Sequence, residues 1–129
     1  MVVDTSALVA ILTQEPERRN FINAIEAAET RLMSATTFVE LSIVMEARHG
    51  AEGVRHVDEF IDRAGIEIVP VDQEQAREAR RAWTRFGKGH HAAGLNFGDC
   101  FPYALAIVTG EGLLFKGNDF THTDVPSAI

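Results

Sequence analysis

Short apolar runs alternate along this chain with stretches whose apolar residues recur every three or four positions. Met1–Val3, Arg31–Met33, Ile66–Val69 and Leu113–Phe115 are the short runs, of a length suited to strands buried on both faces. A short helix is expected from Ser6 to Leu12. Pro16 then opens a second helix, as proline does well in a first turn, and Phe21, Ile22, Ile25 and Ala28 give it an apolar stripe. Thr37 and Glu40 have the spacing of a capping box ahead of Leu41, Val44 and Met45, with Gly50 as the stop. A helix from Ala51 to Ala64 carries Val54, Val57, Phe60 and Ile61 and closes at Gly65. Asp72, with Gln75 as its partner, caps the next helix, which turns Ala76, Ala79, Trp83 and Phe86 to the core. The last helix runs from Asp99 to Val108, with Pro102 in its first turn and Gly110 at its end. Val125 is a candidate for a short edge strand, limited by Pro126.

This alternation predicts an α/β fold: a three-layer α/β/α sandwich around a central parallel sheet of four to five strands. The 129 residues suit one domain covering the whole chain. No apolar run approaches the roughly 20 residues that span a bilayer. The chain opens in a strand pattern without a basic leading segment, so no signal peptide is expected. Cys100 is the only cysteine, which excludes an intrachain disulfide. These points set the expectation of a cytoplasmic protein without a membrane partner. With Asp99 beside it, Cys100 is a poor nucleophile and is read as a structural residue.

The chemistry lies in four acids. Asp4, Glu40 and Asp119 each follow a strand candidate within a turn or a short helical stretch, and Asp99 opens a helix after Gly98. The C-terminal strand ends of a parallel sheet share one edge, where ligands bind. Charged carboxylates gathered there at ~5 Å repel by roughly 3 kcal/mol per pair at an effective dielectric of about 20. Such a site must hold protons or cations, and oxygen donors suit Mg²⁺ or Mn²⁺. Divalent ions there would serve phosphodiester hydrolysis by an activated water. Each acid also has a plainer reading: Asp4 as a helix cap, Glu40 as the capping-box acid, Asp99 at the positive end of its helix, and Asp119 as a turn residue. A phosphatase of similar build would place a second aspartate two residues after the first, where this chain has Ser6.

The net charge of −7 argues against a general nucleic-acid coat protein. It leaves room for a local grip. Arg77, Arg81, Arg85 and Lys88 fall at i, i+4, i+8 and i+11, with Arg80 adjacent, and Lys88, His90 and His91 carry the basic stretch into a glycine-bearing loop. Arg81, Arg85, Lys88, His90, His91 and Lys116 are the candidate RNA contacts; Lys116 would alternatively neutralise the acidic hollow. A solvated helix face opposite Trp83 is the plainer reading of the arginines, and the loop is the better candidate for RNA contact. The histidines match no zinc spacing.

Val3-Asp4-Thr5-Ser6-Ala7-Leu8, Glu40 after the second strand, Leu95-Asn96-Phe97-Gly98-Asp99-Cys100, and Leu113 through Phe120 together resemble a PIN-domain ribonuclease. More narrowly, they resemble the VapC toxins of bacterial toxin–antitoxin pairs. The resemblance runs nearly end to end, with no departure at the four acids. It implies a Mg²⁺- or Mn²⁺-dependent endoribonuclease with Asp4 and Asp99 as principal ligands. Glu40 and Asp119 would complete the pocket directly, through water or at a second ion, and Ser6 would orient Asp4. It also implies a homodimer and a VapB-like antitoxin, for which the helices from Pro16 and from Thr37 are the expected surfaces. The alternative is a non-catalytic PIN-like interaction module.

Overall fold

The computed structural model describes residues 1–129. Four parallel strands, β1 (Val2–Val3), β2 (Leu32–Ser34), β3 (Glu67–Val69) and β4 (Leu113–Leu114), form one sheet in the order β3-β2-β1-β4. Val2 and Val3 pair with Leu113 and Leu114 on one side, and Val2 pairs with Leu32 on the other. These residues of β1 and β4 have no exposed surface, as expected for parallel strands covered on both faces. Residues near Val125 do not form a fifth strand; they contribute a single bridge, Ser127 with Leu113.

Five helices cover the sheet: α1 (Thr5–Leu12), α2 (Arg18–Ala27), α3 (Ala35–Ala64), α4 (Gln73–Phe86) and α5 (Cys100–Thr109). One core layer joins Val3, Met33 and Leu114 to Leu8, Ile11, Phe21, Ile25, Leu41, Met45, Val57 and Ile61 of α1, α2 and α3. The other joins Val2 and Leu113 to Ala79, Ala82 and Phe86 of α4 and to Tyr103, Ala104, Leu105 and Ala106 of α5. The first three strands thus step outward from β1 to β3, and β4 then returns to the other side of β1. The strand order reverses between β1 and β4, which places a crevice at their C-terminal ends.

Several local expectations shift. Pro16 lies in a turn ahead of α2 and does not open it. The stop expected at Gly50 holds: its φ of +63° and ψ of −148° are not helical, and α3 consists of two helical segments that meet at a kink there. The bend lays Gly53 so close to the Met45 carbonyl that a Cβ there would collide with the backbone. Thr37 does not cap α3. Ser34 does, accepting from the Thr36 N–H at 3.3 Å, while the Thr37 hydroxyl is buried without a partner. On α4 the buried stripe is Gln75, Ala79, Ala82 and Phe86, about one position round from the expected one. Ala76 is exposed and Trp83 is 39% exposed. Asp72 does cap the helix, accepting from the Gln75 N–H at 2.8 Å, but the Gln75 amide turns to the Pro70 carbonyl at 3.0 Å.

Candidate active site

Asp4 is the first residue beyond β1. Its N–H continues the strand ladder to the Leu114 carbonyl at 2.9 Å, so its position is set by the sheet. Its carboxylate caps α1: Oδ2 accepts from the Ser6 N–H at 3.0 Å and from the Ser6 hydroxyl at 2.6 Å. The same hydroxyl accepts the Lys116 N–H at 2.9 Å, tying the chain that leaves β4 to the start of α1. The cap reading of Asp4 therefore holds, and the same contact joins the Ser6 hydroxyl to its carboxylate.

Asp99 is built by a second local device. Its Oδ2 accepts from the Asn96 N–H at 3.1 Å, and its own N–H donates to Asn96 Oδ1 at 3.0 Å. This is the reciprocal geometry of a capping box, with Asn96 in the cap position. It fixes the Asp99 side chain just ahead of α5 with no contact from a distant residue. The Asn-x-x-Asp spacing signals it in the sequence, and Asn96 is a supporting residue absent from the expected set.

Glu40 lies one turn into α3, and its carboxylate accepts from the Thr5 hydroxyl of α1. The carboxylate also rests against Gly98, so closely that a Cβ at Gly98 would overlap Oε2. Glu40 is thus held between the residue after Asp4 and the residue before Asp99. It is a bridge between those segments, and not the capping-box acid of its own helix. Thr5 and Gly98 carry no sequence signal for this role, because their partner is distant in the chain.

Asp99 feels the charge of the other three acids. Burial pushes the Asp4 carboxyl up from 3.8 to about 6, opposed by the Ser6 hydrogen bonds and reinforced by the charge of Glu40. Burial also pushes Asp99 up from 3.8 to about 7, with the charges of Asp4, Asp119 and Glu40 each adding to the rise. Asp4 is 5% exposed and Asp99 8%, and neither has an ion-pair partner. Asp119 stands exposed in the turn after β4 and contributes through its field.

The donor set fits a hard divalent cation. Buried carboxylates with raised values and no protein cation form an uncompensated negative site. No three side chains are arranged as a finished cage for an ion. Mg²⁺ takes one or two carboxylates and keeps water or substrate oxygens for its other positions.

The basic candidates divide. The Lys116 ammonium pairs with Glu15 at 2.8 Å and Glu17 at 3.2 Å, so its charge is spent there and not on the four acids. Arg81 pairs with Glu78 at 3.1 Å and Arg85 with Asp124 at 3.4 Å. Lys88 lies beyond α4 and is exposed. His90 sets its ring edge against Trp83, and His91 packs edge-on to Phe86 while its Nδ1 accepts the Ala93 N–H at 2.9 Å. Those two histidines hold the loop onto α4. Burial, then Asp99, raises the Cys100 thiol to about 11, in keeping with a structural residue.

A cleft of about 560 Å³ runs along Glu40 between Val39 and Ile43 of α3 and the Phe97-Gly98 pair. Val39 is 53% and Ile43 63% exposed. A hollow of about 680 Å³ lined by Met1, Glu111 and Ile129 holds none of the four acids. No helix is long and apolar enough to cross a membrane.

The model of the PIN domain family matches residues 1–126. Ribonuclease VapC30 of Mycobacterium tuberculosis is 51% identical over 125 residues, covering 97% of this chain and 95% of that protein. Among solved structures, VapC20 of Mycobacterium tuberculosis, a sarcin-ricin loop cleaving toxin, superposes with a TM-score of 0.77 at 14% identity, covering 96% of this chain and 95% of the other. A toxin–antitoxin complex from Klebsiella pneumoniae gives a TM-score of 0.71 at 18% identity, covering 95% of this chain and 92% of the other. At such identities the two structures speak for the fold.

Proposed function

The chain belongs to the PIN-domain family, among the VapC-type ribonucleases, and from that premise we propose that it is a Mg²⁺- or Mn²⁺-dependent endoribonuclease toxin. The observation that carries this reading is the pairing of Asp4 and Asp99. Both are buried beside the β1/β4 reversal, both are raised in pKa, and neither meets a cation of the protein.

Asp4 and Asp99 would hold the ion, with Glu40 and Asp119 beside them acting directly or through water. A divalent ion so held supplies charge neutralisation for the phosphodiester and lowers the pKa of a water. The chain's own part is positional. Ser6 keeps the Asp4 carboxylate ionisable and aimed. Asn96 does the same for Asp99, and Thr5 sets the Glu40 carboxylate between them. Burial of Asp4 and Asp99 excludes bulk water from their inner faces, which strengthens every interaction there.

Three further points belong to the same reading. A VapB-like antitoxin would cover the Glu40 cleft, where Val39, Ile43 and Phe97 leave apolar surface uncovered. Of the two helices expected to serve a partner, only α3 offers exposed large apolar residues. The protein would act as a homodimer in the cytoplasm.

The test uses chain purified free of any partner protein and incubated with total RNA. Cleavage that appears with Mg²⁺ or Mn²⁺, stops with a chelator, and is lost in Asp4→Asn supports the assignment. Cleavage by Asp4→Asn at the wild-type rate removes Asp4 from the site. Intact RNA under every metal condition would leave the interaction-module reading.

A further inference from the structure

Four hollows on this surface share lining residues in sequence and form one path. The cleft beside Glu40 ends at Phe97 and Gly98. Phe97 also lines an apolar hollow of about 290 Å³ with Ala76, Ala79, Arg80, Trp83 and Phe101, between α4 and α5. Ala76 and Arg80 of that hollow also line a third, with Gln73 and Arg77. Arg77 and Arg80 continue into a fourth, with Arg81 and Thr84. The path therefore leads from a carboxylate of the acidic centre, across an aromatic residue, to a group of arginines.

The two ends are chemically complementary to a nucleic acid strand. Phe97 is 72% exposed, two residues from Asp99, and makes a T-shaped pair with Phe101 with ring centroids 5.0 Å apart. An exposed aromatic face held by a second ring is a platform for a base. Arg77 and Arg80 are exposed and make no ion pair, whereas the neighbouring Arg81 and Arg85 are occupied by Glu78 and Asp124. In a chain of net charge −7, two unpaired guanidiniums along one path form a local site for phosphates.

Building on the ribonuclease reading of the acids, we infer that single-stranded RNA runs along this path, with one base stacked on Phe97 and the phosphates beyond it held by Arg77 and Arg80. The arginine grip thus rests on the unpaired Arg77 and Arg80, while Arg81 on the same path is held by Glu78. Phe97 becomes a specificity-determining residue: a flexible unpaired strand can offer it a base, and a continuous duplex cannot.

The experiment measures binding of a fluorescent single-stranded RNA of about a dozen nucleotides to the full chain. An Asp99→Asn background prevents cleavage during the measurement. Arg77→Gln/Arg80→Gln should weaken binding at least tenfold and make the slope of log affinity against log salt shallower by about 1.4, the value for two single-strand phosphate contacts. Phe97→Ala should weaken binding by roughly 5- to 150-fold, and Phe97→Trp should restore it. In the otherwise wild-type chain, Phe97→Ala should also change the positions of cleavage. All sites are on the surface, so melting curves should match the parent. Unchanged affinity and salt slope in the double variant would overturn the inference. So would variants that escape a co-purifying antitoxin while binding RNA normally, because the path would then belong to a protein partner. If the parent binds RNA with these dependences yet never cleaves it, the path stands and the nuclease reading falls.

Discussion

The Ser6 hydroxyl and the Asp4 carboxylate are 2.6 Å apart, and the same hydroxyl receives the Lys116 N–H. One side chain thus aims a candidate ligand and fastens the chain leaving β4. Ser6→Ala removes a bond that favours ionised Asp4. The acid limb of the pH–cleavage profile should move to higher pH, and stability should fall by about 1 kcal/mol. Ser6→Thr should keep both near the parent. An unmoved acid limb in Ser6→Ala would show that Asp4 does not set it.

The raised carboxyls fix the sign of the pH dependence without metal. Asp4 and Asp99 stand at about 6 and about 7, above 3.8, so between these values the folded chain binds more protons than the unfolded one. Stability of the metal-free protein should therefore fall as pH rises from about 4 to about 7. Asp99→Asn should raise the melting temperature at pH 8 in chelator while abolishing cleavage. Its amide oxygen still accepts the Asn96 N–H, and the gain is on the order of a few kcal/mol. Mg²⁺ should raise the melting temperature of the parent, and of Asp99→Asn much less. A variant that melts lower than the parent at pH 8 in chelator contradicts the argument.

Glu40 is reached from two sides. Thr5→Val deletes its hydrogen bond, and Gly98→Ala places a Cβ against its carboxylate. Because that carboxylate is the mobile end of a side chain, the fold should tolerate Gly98→Ala, with melting within about 1 kcal/mol of the parent. Cleavage should drop roughly tenfold in each, equivalent to about 1.4 kcal/mol. The double variant should do little further harm, since both act through one group. Additive losses would separate the two effects.

The segment carrying Asp119 is held at its far end. The buried Tyr103 hydroxyl donates to Asp124, whose other oxygen pairs with Arg85. Phe120 is buried against Phe115. Tyr103→Phe leaves Asp124 without its buried donor, at a cost of about 1–3 kcal/mol. Amide hydrogen exchange should rise between residues 116 and 124 and remain unchanged in α1. Cleavage should fall while the value for Asp99 moves little. Protection unchanged from 116 to 124 would show that Phe120 alone suffices.

The sheet and the four acids are legible in the sequence for one reason. Short apolar runs such as Val2-Val3 and Leu113-Leu114 lie between turns, and each acid follows a strand or opens a helix within a few residues. What the sequence hides is partnership. Thr37 and Glu40 have capping-box spacing, but Ser34 takes the cap and Thr5, from another helix, takes Glu40. Trp83 has the hydrophobicity of a core residue, yet the narrow α4–α5 contact admits Ala79 and Ala82 and leaves the indole at the rim. The basic stretch reads as one stripe until Glu78 and Asp124 neutralise Arg81 and Arg85. Asn96 was readable from its spacing to Asp99, and was obscured by the glycine-rich loop before it.

Asp4 and Asp99 are each aligned by a neighbour no more than three residues away, Ser6 and Asn96. The sheet and the α4–α5 layer therefore have one remaining task, which is to set the gap between two ready-made units. Under the proposed metal-dependent function, volume changes deep in that layer, at Leu105 or Leu113, should then alter ion affinity while leaving the aim of each carboxylate intact. The molecule is in this sense adjustable from its interior, with separation and orientation governed by different parts of the polypeptide.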